Sequence, residues 1–215
     1  DTISVRSFTW SQLTSNEQKA LGNDSALVDY HRGVRTNEKP AGNYRARQTV
    51  LGDLVNSSPV LVGEPMDMSY HRHSWAGADS YRSFITGTIA SRRKALYIGG
   101  NDGMIHGFLA DTGVESFAYI PRAVMAPRLG NTLNFLHQYA DPNYLHQFSV
   151  DGTPVVADVF ISRANESSPQ WRSVLVGGLG RGGAGMFALD VTDPANLNGQ
   201  SVIWDKKNQG DHALM

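Results

Sequence analysis

The feature that most constrains this fold is an internal repeat. Leu96-Tyr97-Ile98-Gly99-Gly100 matches Val174-Leu175-Val176-Gly177-Gly178, an offset of 177 − 99 = 78 residues. Each copy runs through a glycine-rich turn into a second strand-like segment. Setting Gly107-Phe108-Leu109 on Ala188-Leu189-Asp190 gives 188 − 107 = 81, so the second turn is expected to hold three extra residues. Each copy is also preceded by a similar run, Ser57-Ser58-Pro59-Val60 and Gly152-Thr153-Pro154-Val155. A small antiparallel sheet has an apolar face that it cannot bury alone, and stacking repeats of the sheet buries it, which is the principle of a β-propeller. Plain blades take about 40–45 residues. The repeat is therefore two plain blades or one blade with a long insertion, and the chain reads as about three to five blades. The expectation is an all-β chain: a partial, modified propeller, its ring incomplete, cut from a longer protein.

Short apolar runs bounded by Gly, Asn, Asp and Pro predict strands at 49–51, 59–62, 84–89, 95–98, 104–109, 116–119, 147–150, 154–161, 173–176, 185–191 and 201–204. Asn101-Asp102-Gly103 is a hairpin signal between two of them. The strand pattern lapses over 123–144, where Leu129, Leu133, Phe135 and Leu136 predict a helical or irregular excursion on the surface. The first 35 residues differ. Thr9 or Ser11 is placed to cap a helix ending at Leu21, and Leu27, Tyr30 and His31 mark a second one that Gly33 stops. Residues 36–48 read as a polar, extended linker. The expected division is 1–48 as helical lead-in and linker, and 49–215 as propeller blades.

Charge and composition exclude several classes. Lys plus Arg is 19 and Asp plus Glu is 20, a net charge of −1, whereas a nucleic-acid surface is normally basic. With no Cys there is no disulfide framework, thiolate metal site or thiol nucleophile. No apolar run approaches the roughly 18 residues of a membrane-spanning helix. The opening Asp1-Thr2-Ile3-Ser4 lacks an initiator Met and signal-peptide features, which predicts a processed end or an internal cut.

Each motif that hints at chemistry has a plainer reading. Gly178-x-Gly180-x-x-Gly183 matches a dinucleotide fingerprint in letters, but it leads into strand-like Met186-Phe187-Ala188-Leu189 rather than a helix. It reads as a wide turn with Arg181 at its tip. His71-x-His73 puts two imidazoles on one face only if the segment is extended, and zinc would need a further ligand. His106 reads as a hydrogen-bonded strand histidine, and His137 and His146 have no evident partner. No Gly-x-Ser-x-Gly elbow is present. Asp102, Asp111, Asp190 and Asp193 sit at turns, where Asp bonds the local backbone. Asn23, Asn56 and Asn165 open sequons in form only. No catalytic, cofactor or metal residue is assigned. Candidate partner contacts are His71, His73 and Trp75 in a 63–81 loop, Asn134 and His137 in 123–144, and Arg181 in 179–185.

The ordered series of Leu27-Val28-Asp29-Tyr30-His31-Arg32-Gly33, Gly52-Asp53-Leu54-Val55-Asn56-Ser57-Ser58-Pro59-Val60, Leu96 to Phe108 with Asp111-Thr112-Gly113, Val150-Asp151-Gly152-Thr153-Pro154 and Leu175 to Pro194 resembles the C-terminal domain of the PilY/PilC family of type IV pilus-tip adhesins and biogenesis factors. That resemblance implies a quinoprotein-like propeller. It also implies an exported, non-enzymatic protein at the pilus tip, associated with the outer membrane and the cell surface. The implied partners are minor pilins and host-cell receptors, and the implied roles are pilus extension and retraction, adhesion and surface sensing. The family's calcium loop has no Asp-x-Asp-x-Asn/Asp-Gly counterpart here, so calcium is expected outside this chain. Arg32-Gly33-Val34 lacks the carboxylate of an integrin motif, and Leu109 stands where the family often has Asp. The alternatives are a quinoprotein-type dehydrogenase and an outer-membrane assembly scaffold.

Overall fold

In the computed structural model the described residues are 5–127, 130–163 and 166–207; Asp1, Leu129 and Asn165, used in the expectations above, lie outside them. The short β-branched runs pair into two antiparallel meanders. The first holds β1 (Val60–Val62), β2 (Ala95–Gly99), β3 (Ile105–Leu109) and β4 (Glu115–Tyr119), in that order. The second holds β5 (Val155–Ile161), β6 (Gln170–Gly178), β7 (Gly185–Asp190) and β8 (Val202–Lys207). Each copy of the repeat is thus one four-stranded blade, and the described residues hold two blades rather than three to five. The length that suggested more goes into the connections between β1 and β2 and between β4 and β5.

The strands expected at 49–51, 84–89 and 147–150 do not form. At 84–89 the β-branched residues mislead. α3 (Ala78–Ser83) runs directly into a π-helical turn at Phe84–Thr88, which puts Phe84, Ile85 and Ile89 into one buried cluster with Tyr81. Tertiary packing outweighs a weak local β preference here.

Register corrects the repeat alignment by one residue. Tyr97 pairs with Gly107, while its counterpart Leu175 pairs with Leu189, so the second-strand offset is 189 − 107 = 82. Ala188 pairs with Val176 instead. Side chains alternate faces along a strand, so the 81-residue alignment would have turned every residue of β7 to the wrong side. In the observed register Tyr97 and Ile105 share the core face, as do Leu175 and Phe187.

The lead-in is part of the same core. Thr14, not Thr9 or Ser11, caps α1 (Ser15–Ala20) through a reciprocal bond with Glu17; Trp10–Gln12 is a separate 3-10 turn. Leu13, Leu21, Leu27, Val28 and Tyr30, the last three on α2 (Ala26–His31), join the blades' hydrophobic cluster. Residues 36–48 fold back as well. Arg47 Nε pairs with Glu38 Oε1 at 2.8 Å, both side chains buried, and the Arg47 guanidinium lies 3.7 Å from the centre of the Tyr30 ring. The 123–144 excursion carries α5 (Phe135–Tyr139), preceded by α4 (Arg122–Met125). It is not superficial, because Phe135, Leu136 and Tyr139 are buried in the core.

Candidate partner-contact surface

The 63–94 insert leaves blade one and lands on blade two. Trp171 Nε1 donates to the Gly77 carbonyl at 2.8 Å, and the Tyr81 hydroxyl donates to Asp158 Oδ2 at 2.9 Å. Arg92 closes the seam, donating from Nε to the Gly63 carbonyl and from Nη1 to Ser173 Oγ, both at 2.7 Å. Trp171 is the hub of this docking, with Tyr70, Tyr81, Phe84 and Phe160 around it. None of these residues was singled out in the sequence. The available signal was an aromatic pair, Phe160 and Trp171, at facing positions on two neighbouring strands.

His71 and His73 do not face one way, because their segment is a 3-10 turn at Tyr70–Arg72 rather than a strand. His71 Nε2 meets Arg82 at 2.9 Å, while the His73 ring stacks on Trp75 at 4.4 Å. Trp75 is 51% exposed, and Met66, earlier in the same insert, is 73% exposed. Arg181 stands exposed on the turn between β6 and β7, a 3-10 turn at Gly180–Gly182 that leads into a strand, and its guanidinium lies 5.4 Å from the Phe148 ring. His146 bonds Asp53 at 2.8 Å next to that ring. Asn134 does not reach the surface. It is fully buried, its side-chain oxygen caps α5 by accepting the His137 N–H at 3.1 Å, and its amide donates to the Met125 carbonyl. His137 is half-buried against Gly22. Of these candidates Asn134 is buried, while His73, Trp75 and Arg181 are exposed.

Two buried histidines set the electrostatics. His106 on β3 donates from Nδ1 to Glu115 Oε1 at 2.5 Å and from Nε2 to Asp102 Oδ1 at 3.1 Å. Burial alone would lower its pKa, but hydrogen bonds to the two carboxylates and their charges outweigh that and raise it to about 9. Burial pushes the Asp102 carboxyl up, yet His106 and the N–H groups of Gly52 and Met104 hold it below the usual carboxylate range. His31 is the opposite case: burial between Tyr30 and Tyr139 lowers its pKa to about 4, and its Nε2 bonds the Leu136 carbonyl at 2.9 Å. Among the described residues no group of three or more His, Cys, Asp or Glu is arranged to hold a metal ion. No described helix is long and apolar enough to cross a membrane.

Two four-stranded meanders in contact, with a long insert strapped across them, define a β-propeller domain. Residues 51–213 match the family model of the PilY1 beta-propeller domain. The chain belongs to the PilY1 family. A type IV pilus biogenesis factor PilY1 homolog of Xylella fastidiosa is 44% identical over 191 residues, which cover 88% of this chain and 14% of that protein. The type IV pilus biogenesis factor PilY1 of Pseudomonas aeruginosa is 38% identical over 218 residues, 95% of this chain and 17% of that one. This chain thus spans a small part of either relative. The crystal structure of the Pseudomonas aeruginosa PilY1 C-terminal domain is 37% identical, with a TM-score of 0.46 over 68% of this chain and 25% of that chain.

Proposed function

We propose that this domain is a non-enzymatic binding module of the type IV pilus. In this reading it is exported to the cell surface and acts in pilus assembly at the outer-membrane-associated tip, where it contacts minor pilins. Its contact surfaces are the 63–94 insert and the Arg181 turn, irregular segments held on rigid blades. The observation that carries the reading is 44% and 38% identity, over nearly the whole chain, to proteins named as type IV pilus biogenesis factors. Retraction control, adhesion to host-cell receptors and surface sensing belong to the same reading, with calcium acting from elsewhere in the full-length protein.

The test is a pull-down of minor pilins and assembled pili by the folded protein, with and without calcium. Retention of minor pilins in both conditions is the expected result, and Trp75→Ala or Arg181→Ala should weaken it. No retention by a folded sample, or dye-linked oxidation of an alcohol by the purified protein, would overturn the reading.

A further inference from the structure

The seam between the insert and blade two holds an aromatic-walled cleft of about 300 Å3. Tyr70 and Trp75 come from the insert, Phe160 from β5 and Trp171 from β6, and Asp158 is the acidic group in the lining. The rings are set by packing. Tyr70 lies nearly parallel to Trp171, with centroids 5.6 Å apart, and Trp75 meets Tyr70 edge-on at 5.6 Å. Phe160 stands 5.5 Å from Trp171. Gly77 holds the loop down at φ +83°, where a Cβ would fall 2.5 Å from the Phe160 ring.

Asp158 makes the cleft more than an apolar slot. Its oxygens accept from two neutral hydroxyls, Tyr81 at 2.9 Å and Ser173 at 2.7 Å. The neighbouring cation, Arg92, donates to Ser173 Oγ and attracts the carboxylate through space without forming an ion pair with it. We propose that this cleft receives a cationic side chain, arginine or lysine, presented by a protein partner. Aromatic faces carry partial negative charge and attract such a cation, arginine stacks on them, and the carboxylate adds attraction of the same sign. A neutral aliphatic group would gain the ring contact but would shield the carboxylate from water without adding a positive charge of its own.

The proposal rests on the preceding reading only for which protein presents the cation, so its test uses small probes. The protein has four Trp, and their indole N–H resonances can be followed by NMR during titration. N-acetyl-arginine amide should shift the Trp75 and Trp171 signals saturably. N-acetyl-citrulline amide, nearly the same shape without the charge, should bind about tenfold more weakly. Asp158→Asn should bring arginine down to the citrulline level, and Trp75→Leu, a change at an exposed ring, should remove the Trp171 response. Equal binding of the two probes, a response to a methyl glycoside instead, or no shift with arginine amide up to about 100 mM would overturn the proposal. If Asp158→Asn does not fold, the two probes on the unaltered protein still decide. Loss of probe binding with pilin retention intact refutes the cleft alone; the reverse refutes the pilus reading alone.

Discussion

Blade one and blade two are built to one plan with different parts. Each core face carries one aromatic ring lying over a glycine on the partner strand. In blade one the ring is Tyr97 on β2 and the glycine is Gly107 on β3. In blade two the glycine is Gly177 on β6 and the ring is Phe187 on β7. The copies share the kind of pair, a large flat side chain facing an absent one, but not its rung: Tyr97 and Gly107 correspond to Leu175 and Leu189, and Gly177 and Phe187 to Gly99 and Ile105. The opposite faces differ more. Blade one places His106 there, braced by Asp102 and Glu115. Blade two has Ala188 at the matching position and, two residues on, Asp190 bonded to Arg172 at 2.6 Å. The repeat therefore specifies volume on the core face and leaves the other face free to vary in charge.

The largest effect should come from removing a ring. Phe187→Ala is expected to destabilise by about 3–5 kcal/mol in urea unfolding, and an effect under about 1 kcal/mol would remove Phe187 from the plan. Close behind is the histidine pair, read as unfolding free energy against pH. His31, whose folded pKa is depressed, contributes fully above 6.5, and its contribution is lost as pH falls towards 4. His106, whose folded pKa is raised, contributes fully below 6.5, and its contribution is lost as pH rises through 9. Each gap corresponds to roughly 3–4 kcal/mol at most. Stability should peak near pH 6.5, His106→Gln should flatten the alkaline limb, and His31→Gln the acid one. A profile unchanged in His106→Gln would show that blade one does not depend on the charged imidazole.

A smaller effect tests the ring-over-glycine pair itself. An added Cβ at Gly177 would lie 2.3 Å from the Phe187 ring, and one at Gly107 would lie 2.8 Å from the Tyr97 ring. Gly177→Ala and Gly107→Ala should each destabilise by about 1–3 kcal/mol. Combination with Phe187→Leu or Tyr97→Leu, respectively, should recover part of the loss in a double-mutant cycle. Strict additivity would dissolve the comparison. The smallest expected change is Tyr97→Phe. The Tyr97 hydroxyl is buried without a hydrogen-bond partner, so its removal should be neutral or stabilising by up to about 1 kcal/mol in a thermal melt.

Much of this was legible in the residues. The Gly-Gly repeat located both central hairpins, and turn chemistry at Asn101-Asp102-Gly103 separated β2 from β3 as expected. Its letters alone aligned β7 with β3 one residue out, although the strand itself was located, because Gly107 and Ala188 look alike by size while pairing, not size, decides the face. Phe84 to Ile89 misread as a strand, since Ile85, Thr86 and Thr88 favour extended backbone until Trp171 offers a helix something to pack on. Trp75 and Arg181 were legible as exposed loop residues. Asn134 was not legible as a cap, because its role depends on α5, which local pattern placed on the surface. The cleft joins Tyr70 to Phe160 and Trp171, and nothing along a single chain marks residues that far apart as neighbours.

The contact between the two blades also has a temporal consequence. Asn56 Nδ2 bonds Asp151, Ser57 Oγ bonds the Gly152 carbonyl, and the Ser58 N–H bonds Thr153, each across 95 residues of chain. Blade one can pair all its own strands once Tyr119 has been made, and Gly99 already holds Ser57, yet the bonds from Asn56 to Ser58 into the second blade wait for Asp151 to Thr153. Contacts that close such long loops come late and slow the search for the folded state. During synthesis, the first blade must wait for the threshold of the second before it is finished.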